Sequence, residues 1–218
     1  MAHPHGKSDW TDDEQVQRMA KSYSVRYDDE FWSAIESLTS RGSRSIVADF
    51  GCGPGLLLVD IANRFNAHTA IALDESEQML GLAETMLNER TDLKSIDIHQ
   101  VNFDTEKIPV EPDSIDFAFS GFMLHEVASP STFVSQVYTL VKSNGIYVVY
   151  DFVSGNVELF VKTMIQYGMS EENARKRYPH MCKHSTDDIV EILETSGFSD
   201  CRVLTIGEIR AVVVGLKR

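Results

Sequence analysis

Only three cysteines occur in 218 residues: Cys52, Cys182 and Cys201. They are odd in number and widely spaced, so no disulfide framework is expected and a reducing cytoplasm is the natural home. No apolar run approaches the roughly 20 residues that cross a bilayer. Met1 to Lys7 has neither the basic start nor the apolar stretch of a signal peptide. Positive charge is scarce: 20 Lys and Arg stand against 33 Asp and Glu, a net charge of −13. The densest basic cluster is Arg175-Lys176-Arg177. Neither nucleic acid nor an anionic membrane is therefore an expected partner, because both need clustered cations to displace counterions. Internal repeats, low-complexity tracts and Pro/Gly/Ser linkers are missing as well. The remaining composition is that of an ordinary globular chain, 43% hydrophobic and 24% charged. A chain of this length buries about 70% of its unfolded surface and needs no staple.

Residues 1–44 are polar and helix-prone. Thr11-Asp12-Asp13-Glu14 reads as a helix start, and Asp28 to Leu38 places Phe31, Trp32, Ile35 and Leu38 at helical spacing. From Ser45 the pattern changes. Short apolar runs at Ser45–Phe50, Thr69–Leu73, Ile96–Val101, Ile115–Phe119 and Ile146–Tyr150 alternate with helical stretches. That alternation predicts βαβ units and a parallel sheet with right-handed crossovers. Ser185-Thr186-Asp187-Asp188 reads as a capping box ahead of a helix that stops at Gly197. Two further strands, Cys201–Ile206 and Arg210–Leu216, are separated by Gly207-Glu208-Ile209. Three residues cannot make a crossover, so these strands must pair antiparallel. The expected fold is α/β: a three-layer, Rossmann-like doubly wound sheet of seven strands, the last antiparallel. We expect one domain over 1–218, with an N-terminal helical cap (1–44) and a helical insertion (154–183) shaped as a lid or substrate wall.

The first strand runs into Asp49-Phe50-Gly51-Cys52-Gly53-Pro54-Gly55. Glycines at such a strand-to-helix turn let a ligand touch the backbone, and the helix N-terminus beyond offers free N–H groups. The dinucleotide fingerprint needs its third glycine one residue later, where Leu56 stands, and no Gly-Lys-Ser/Thr follows for a P-loop. The second strand ends at Asp74, where a carboxylate accepts from ribose hydroxyls. The two features together predict a nucleoside-bearing ligand.

These residues resemble class I S-adenosylmethionine-dependent methyltransferases of the small-molecule, ubiquinone/menaquinone-type branch. Val47 to Gly55 resembles their first motif and Ile71 to Ser76 their second-strand motif. Phe103-Asp104-Thr105-Glu106-Lys107-Ile108-Pro109 resembles the segment that reaches the adenine, and Asp116 to Val127 the fourth strand and its tail. Phe103 replaces a usual glycine and Glu126 a second histidine. The resemblance implies S-adenosyl-L-methionine as cofactor. Gly51, Cys52, Gly53 and Gly55 would pass under its methionine and ribose, and Asp49 would fix the amino group. Asp74 would take the ribose hydroxyls, and Glu75 and Met79 would flank the adenine. Asp104 would accept from the adenine amino group with Phe103 at its edge, and Ser120 and Leu124 would line the methionine side. Met79 and Phe103 fit a core role equally.

His125, just past the fourth strand, is the candidate base, the alternative being a locally bonded histidine. Tyr23 and Tyr27 are candidates to cap the cofactor and touch substrate, the alternative being aromatic packing. Tyr147, Tyr150, Asp151 and Phe152 end the fifth strand and border the acceptor side, Phe152 as a substrate contact. His180-Met181-Cys182-Lys183-His184 puts the two histidines on one helical face, or alternates all three ligand types along a strand. His180, Cys182 and His184 are read as substrate-pocket lining, with metal ligation or plain surface as alternatives, and no metal is expected. The expected function is methyl transfer to a small-molecule acceptor. The alternatives are a protein or RNA methyltransferase and a non-catalytic cofactor-binding module.

Overall fold

The computed structural model describes residues 23–39 and 44–218. The helix start expected at Thr11–Glu14 lies outside them. Asp28 caps α1 (Asp29–Leu38), its side chain accepting from the Phe31 N–H at 2.9 Å. The helix then buries Phe31, Trp32, Ile35 and Leu38, the face its spacing predicted.

β1 (Ile46–Phe50), α2 (Leu56–Phe65), β2 (Thr69–Asp74), α3 (Glu77–Arg90), β3 (Ser95–Gln100), β4 (Ile115–Gly121), α4 (Pro130–Leu140) and β5 (Val141–Phe152) follow as alternating units. After an insertion come α7 (Thr186–Thr195), β6 (Ser199–Ile206) and β7 (Arg210–Leu216). The sheet order is β3-β2-β1-β4-β5-β7-β6. Pairings among β1 to β5 are parallel, while β7 runs antiparallel to both β5 and β6. Central strands read as continuous apolar runs because both faces are covered. Val47, Phe117 and Phe119 pack into the layer holding α1, α2 and α3, whereas Ala48, Phe50 and Ala118 pack into the layer holding α4 and α7.

β5 begins at Val141 rather than Ile146. The extra length is taken up by a register shift against β4 between Ile115 and Phe117, with Asn144 at φ 66°. The capping box forms as read, the Ser185 hydroxyl accepting from the Asp188 N–H at 3.1 Å and Asp188 Oδ2 accepting from the Ser185 N–H at 2.7 Å. Gly207 and Glu208 turn the last hairpin at φ 58° and 62°, the two positive values whose twist suits a tight hairpin.

Two appendages bear on the site. Arg210, at the start of β7, donates to the Tyr150 hydroxyl at 2.7 Å and to the Arg26 carbonyl at 3.3 Å. This ties residues 23–28 over the ends of β4 and β5. The insertion folds as α5 (Val157–Gln166) and α6 (Glu171–Met181) around Phe160, Val161, Met164 and Ala174, packed on Phe152 and Ile209. Helix α6 stops at Met181 with Pro179 in its last turn, and Cys182 is its cap. His180 and His184 therefore share neither a helical face nor a strand. Pro179 gives up only its own bond back to the Arg175 carbonyl, and the Cys182 N–H closes the last turn on the Tyr178 carbonyl at 2.8 Å.

Candidate active site

The chain order reverses between β1 and β4, and ligands of doubly wound sheets bind beyond the strand tips at that point. The glycine turn sits there. Gly51, Gly53 and Gly55 all adopt positive φ, 81°, 51° and 77°, which L side chains rarely adopt. The Gly51 and Cys52 N–H groups both donate to the Leu73 carbonyl, at 2.8 and 3.0 Å. A Cβ on Gly55 would stand 2.7 Å from the Ala83 Cα. This glycine thus serves the close approach of α2 and α3. No side chain caps the α2 N-terminus.

Asp74 ties the turn to β2. Its Oδ2 accepts from the Gly53 N–H at 2.8 Å and its Oδ1 from the Ser76 N–H at 2.9 Å. Each oxygen keeps a further lone pair, so ribose hydroxyls remain acceptable partners. Burial raises the Asp74 carboxyl above its usual range, opposed by the Ser76 and Gly53 N–H groups.

Asp49 differs from every other acid in this region. It is 2% exposed, and its Oδ1 is buried with no hydrogen-bond partner. Burial, and then repulsion from Asp74, lift its carboxyl to about 8. An orphaned acid under a glycine turn is a site built for a cation. Cys52 is buried, and burial with the Asp74 and Asp49 charges pushes its thiol well up, so it lines the turn as a neutral group.

Several expected cofactor contacts are placed otherwise. Met79 is 1% exposed and Leu124 fully buried, both in the apolar core. Phe103 packs edge-on against Phe50 and Phe133, with centroids 6.4 and 5.5 Å apart. Their side chains are consumed by packing, which leaves them backbone alone to offer a ligand. The Ser120 hydroxyl is buried on the Tyr147 hydroxyl at 2.7 Å. Glu75 is exposed, and its carbonyl accepts from Gln100 at 3.0 Å. Asp104 is exposed and accepts from the Ala128 N–H at 2.7 Å, clamping the loop after β3 to the loop after β4.

Tyr23 donates its hydroxyl to Asp60 on α2 and thereby anchors the N-terminal segment, which takes it out of a catalytic role. Tyr27 is half-buried among Phe31, Phe122 and Tyr150, at centroid distances of 5.0, 6.1 and 5.9 Å. Its hydroxyl lies 2.7 Å from where a Gly121 Cβ would stand, so β4 ends in the one residue that admits the ring. Asp49 and Asp151 both act on Tyr27, which puts it between the two halves of the site.

On the β4 and β5 side, His125 is 4% exposed. Its Nδ1 bonds Asp151 Oδ1 at 2.6 Å, and its N–H donates to Asp151 Oδ2 at 3.1 Å. Its Nε2 lies 3.4 Å from Glu126 Oε1, and His180 Nε2 lies 3.2 Å from Glu126 Oε2. Burial alone would lower the His125 imidazole, but Asp151 and Glu126 outweigh it and hold it up near 9. Glu126, although burial opposes it, is held down near 2 by His125 and His180. Both ring nitrogens of His125 thus face carboxylates, Asp151 on one side and Glu126 on the other.

The insertion brings His180, Cys182 and His184 to this group, and His125 lies 6.4 Å from the Phe152 ring and 5.6 Å from His180. Cys182 is buried, and burial together with Asp151 pushes its thiol up to about 12. Burial and Lys183 lower His184, whose buried Nε2 has no partner. Sequence reasoning assigned no role to Glu126 and only a bordering one to Asp151. The substitution of Glu for a second His at 126 was the signal that a different network stands there. An open hollow beside Lys107, Ile108, Thr132 and Gln136, on the outside of α4, holds none of this chemistry.

The doubly wound seven-stranded sheet thus carries a glycine-lined turn after β1 and an acid at the tip of β2. Residues 48–149 match the family model described as a methyltransferase domain. The chain is 29% identical over 121 residues to an uncharacterized chloroplastic methyltransferase of Arabidopsis thaliana, covering 55% of this chain and 34% of that protein. It is 32% identical over 109 residues to a malonyl-[acyl-carrier protein] O-methyltransferase of Marinomonas, covering 50% and 38%. The matched stretch thus spans little more than a third of either relative. In fold, it is similar to a SAM-dependent methyltransferase of Aquifex aeolicus (TM-score 0.72, 19% identity, 97% of this chain and all of that one). It is also similar to a phosphoethanolamine N-methyltransferase of Haemonchus contortus (0.69, 14%, 96% and 59%). No helix among the described residues is long and apolar enough to cross a membrane.

Proposed function

We propose that the chain transfers a methyl group from S-adenosylmethionine to a small-molecule acceptor, acting in the cytoplasm as one unit with residues 1–44 as cap and 154–183 as acceptor wall. The observation that carries this reading is Asp49: a buried carboxyl oxygen without a partner, beneath three glycines of positive φ. The residues present fit the cofactor. Asp49 faces the cationic amino-acid end, the glycine backbone underlies it, and Asp74 takes the ribose hydroxyls with its remaining lone pairs. When bound, S-adenosylmethionine supplies a methyl group on a positively charged sulfur.

The chain's own contribution is alignment, which is worth on the order of 7–11 kcal/mol when reacting atoms are held in line. Tyr27 and Phe122 form the wall between the two halves. Phe152, His180, Cys182 and His184 line the acceptor side beneath the insertion. His125 is held between Asp151 and Glu126 beside this lining. A small acceptor is favoured because the acceptor side is roofed by α5 and α6, and because the charge of −13 opposes nucleic acid. The Haemonchus protein is named for phosphoethanolamine, a small acceptor, whereas the Marinomonas relative is named for a malonyl group borne on an acyl-carrier protein.

The test is incubation with methyl-labelled S-adenosylmethionine and a small-metabolite extract, with RNA and a protein extract in parallel. Label in a small compound supports the reading, and label confined to RNA or protein replaces it. Cofactor binding without any turnover would make the chain a binding module.

A further inference from the structure

His125, Glu126 and His180 come from two distant parts of the chain. The first two lie just past β4, and the third is in the last turn of α6. One nitrogen or oxygen from each lies within 4.8 Å of the others. We propose that these three side chains bind a divalent first-row transition ion of zinc type, with Asp151 orienting His125 from behind.

Geometry is the main support. The two imidazole nitrogens stand 3.4 and 3.2 Å from Glu126 oxygens. These are different oxygens, Oε1 and Oε2, so the carboxylate stands between the two imidazoles, with one donor from each group close enough to share a single ion. The 2.6 Å bond from His125 Nδ1 to Asp151 leaves Nε2 facing Glu126. A carboxylate behind a histidine in this way is the usual support of a metal-ligating imidazole. Two imidazoles and one carboxylate select a borderline ion such as zinc over magnesium or calcium, which prefer oxygen. Three protein ligands leave a fourth position open, the pattern of catalytic rather than structural sites.

Asp151 and Glu126 bracket the His125 ring, one carboxylate at each nitrogen, 2.6 and 3.4 Å away. The sequence expectation of no metal weighed His180, Cys182 and His184 as a local motif. It did not have His125 and Glu126 beside His180. The ion's catalytic use rests on the proposed function: at the acceptor side it would lower the proton affinity of a coordinated acceptor oxygen.

Metal binding is testable without turnover. Full-length protein stripped with chelator and carrying His3→Asn and His5→Asn, to remove the N-terminal histidines, is titrated with cobalt(II) and zinc(II). One equivalent of zinc by equilibrium dialysis and a four-coordinate cobalt spectrum are expected. His180→Asn and Glu126→Gln should each weaken binding at least tenfold, and Asp151→Asn by about 10–100-fold. Circular dichroism confirms that each variant folds. A stripped protein that takes up no ion, or a folded His180→Asn variant that binds zinc as the parent does, overturns the proposal. S-adenosylhomocysteine affinity, measured on the same stripped protein, reports on the cofactor half separately. A failure there counts against the proposed function and leaves the metal result standing.

Discussion

Replacing Asp49 by asparagine separates what this residue does for folding from what it does for binding. Its carboxyl lies near 8 in the folded chain against an ordinary 3.8. The folded state therefore keeps a proton that the unfolded state releases, and stability is lost as pH climbs from about 4 to 8. Each pKa unit is about 1.4 kcal/mol, so at pH 7 the accumulated loss is about 4 kcal/mol. Asparagine is neutral in both states and has no such slope. At about 2–4 °C per kcal/mol for a chain of this size, the melting temperature of Asp49→Asn relative to the parent should rise by roughly 8–16 °C between pH 4 and 7. Above pH 8 the difference should level off. Binding moves the other way. The parent's affinity for S-adenosylmethionine should increase up to about tenfold per pH unit toward 8, where the ligand's own amine begins to lose its proton. The variant should bind at least tenfold more weakly, with a flat profile. Thermal melts across pH and calorimetry with S-adenosylhomocysteine read both effects. Parallel pH–stability curves for the two proteins, or undiminished affinity in the variant, would refute the assignment.

Three other substitutions test other parts of the account. Asp74→Ala removes the acceptor for the Gly53 and Ser76 N–H groups, and calorimetry should show at least a tenfold loss of cofactor affinity, about 1.4 kcal/mol. Gly121→Ala sets a methyl 2.7 Å from the Tyr27 hydroxyl and 2.8 Å from Phe119. A destabilisation of about 1–3 kcal/mol is expected from such overpacking, and an unchanged melting temperature would show that Tyr27 moves freely. Tyr23→Phe should lower the melting temperature by severing the bond to Asp60 while leaving turnover per folded molecule intact; a collapse in kcat would return Tyr23 to the chemistry.

The parts of this architecture with local causes were legible in the sequence. The alternation of apolar runs, the Ser185–Asp188 capping box and the three-residue turn before β7 each act through neighbours a few residues away. They emerge as read. What was not legible depends on packing across the molecule. Met79, Phe103 and Leu124 carry motif positions, yet their side chains fill the core, and no spacing rule separates a residue beside a ligand from one beneath it. Tyr23 and Tyr27 are one helical turn apart, yet only Asp60 and Gly121, far along the chain, decide which hydroxyl is spent and which reaches the site. The break at Pro179 and Met181 turned an apparent His-x-Cys-x-His motif into three separate contacts. The pairing of His180 with Glu126 spans more than fifty residues and had no local trace.

The α5–α6 insertion has a small apolar nucleus of its own, leaning on the main body through Phe152 and Ile209. Such a satellite can open in part while the sheet stays closed. On the proposed function, donor recognition would rest on the central strands and acceptor recognition on this separate nucleus. Substitutions within residues 154–183 would then retarget the choice of acceptor without retuning the cradle for the methyl source.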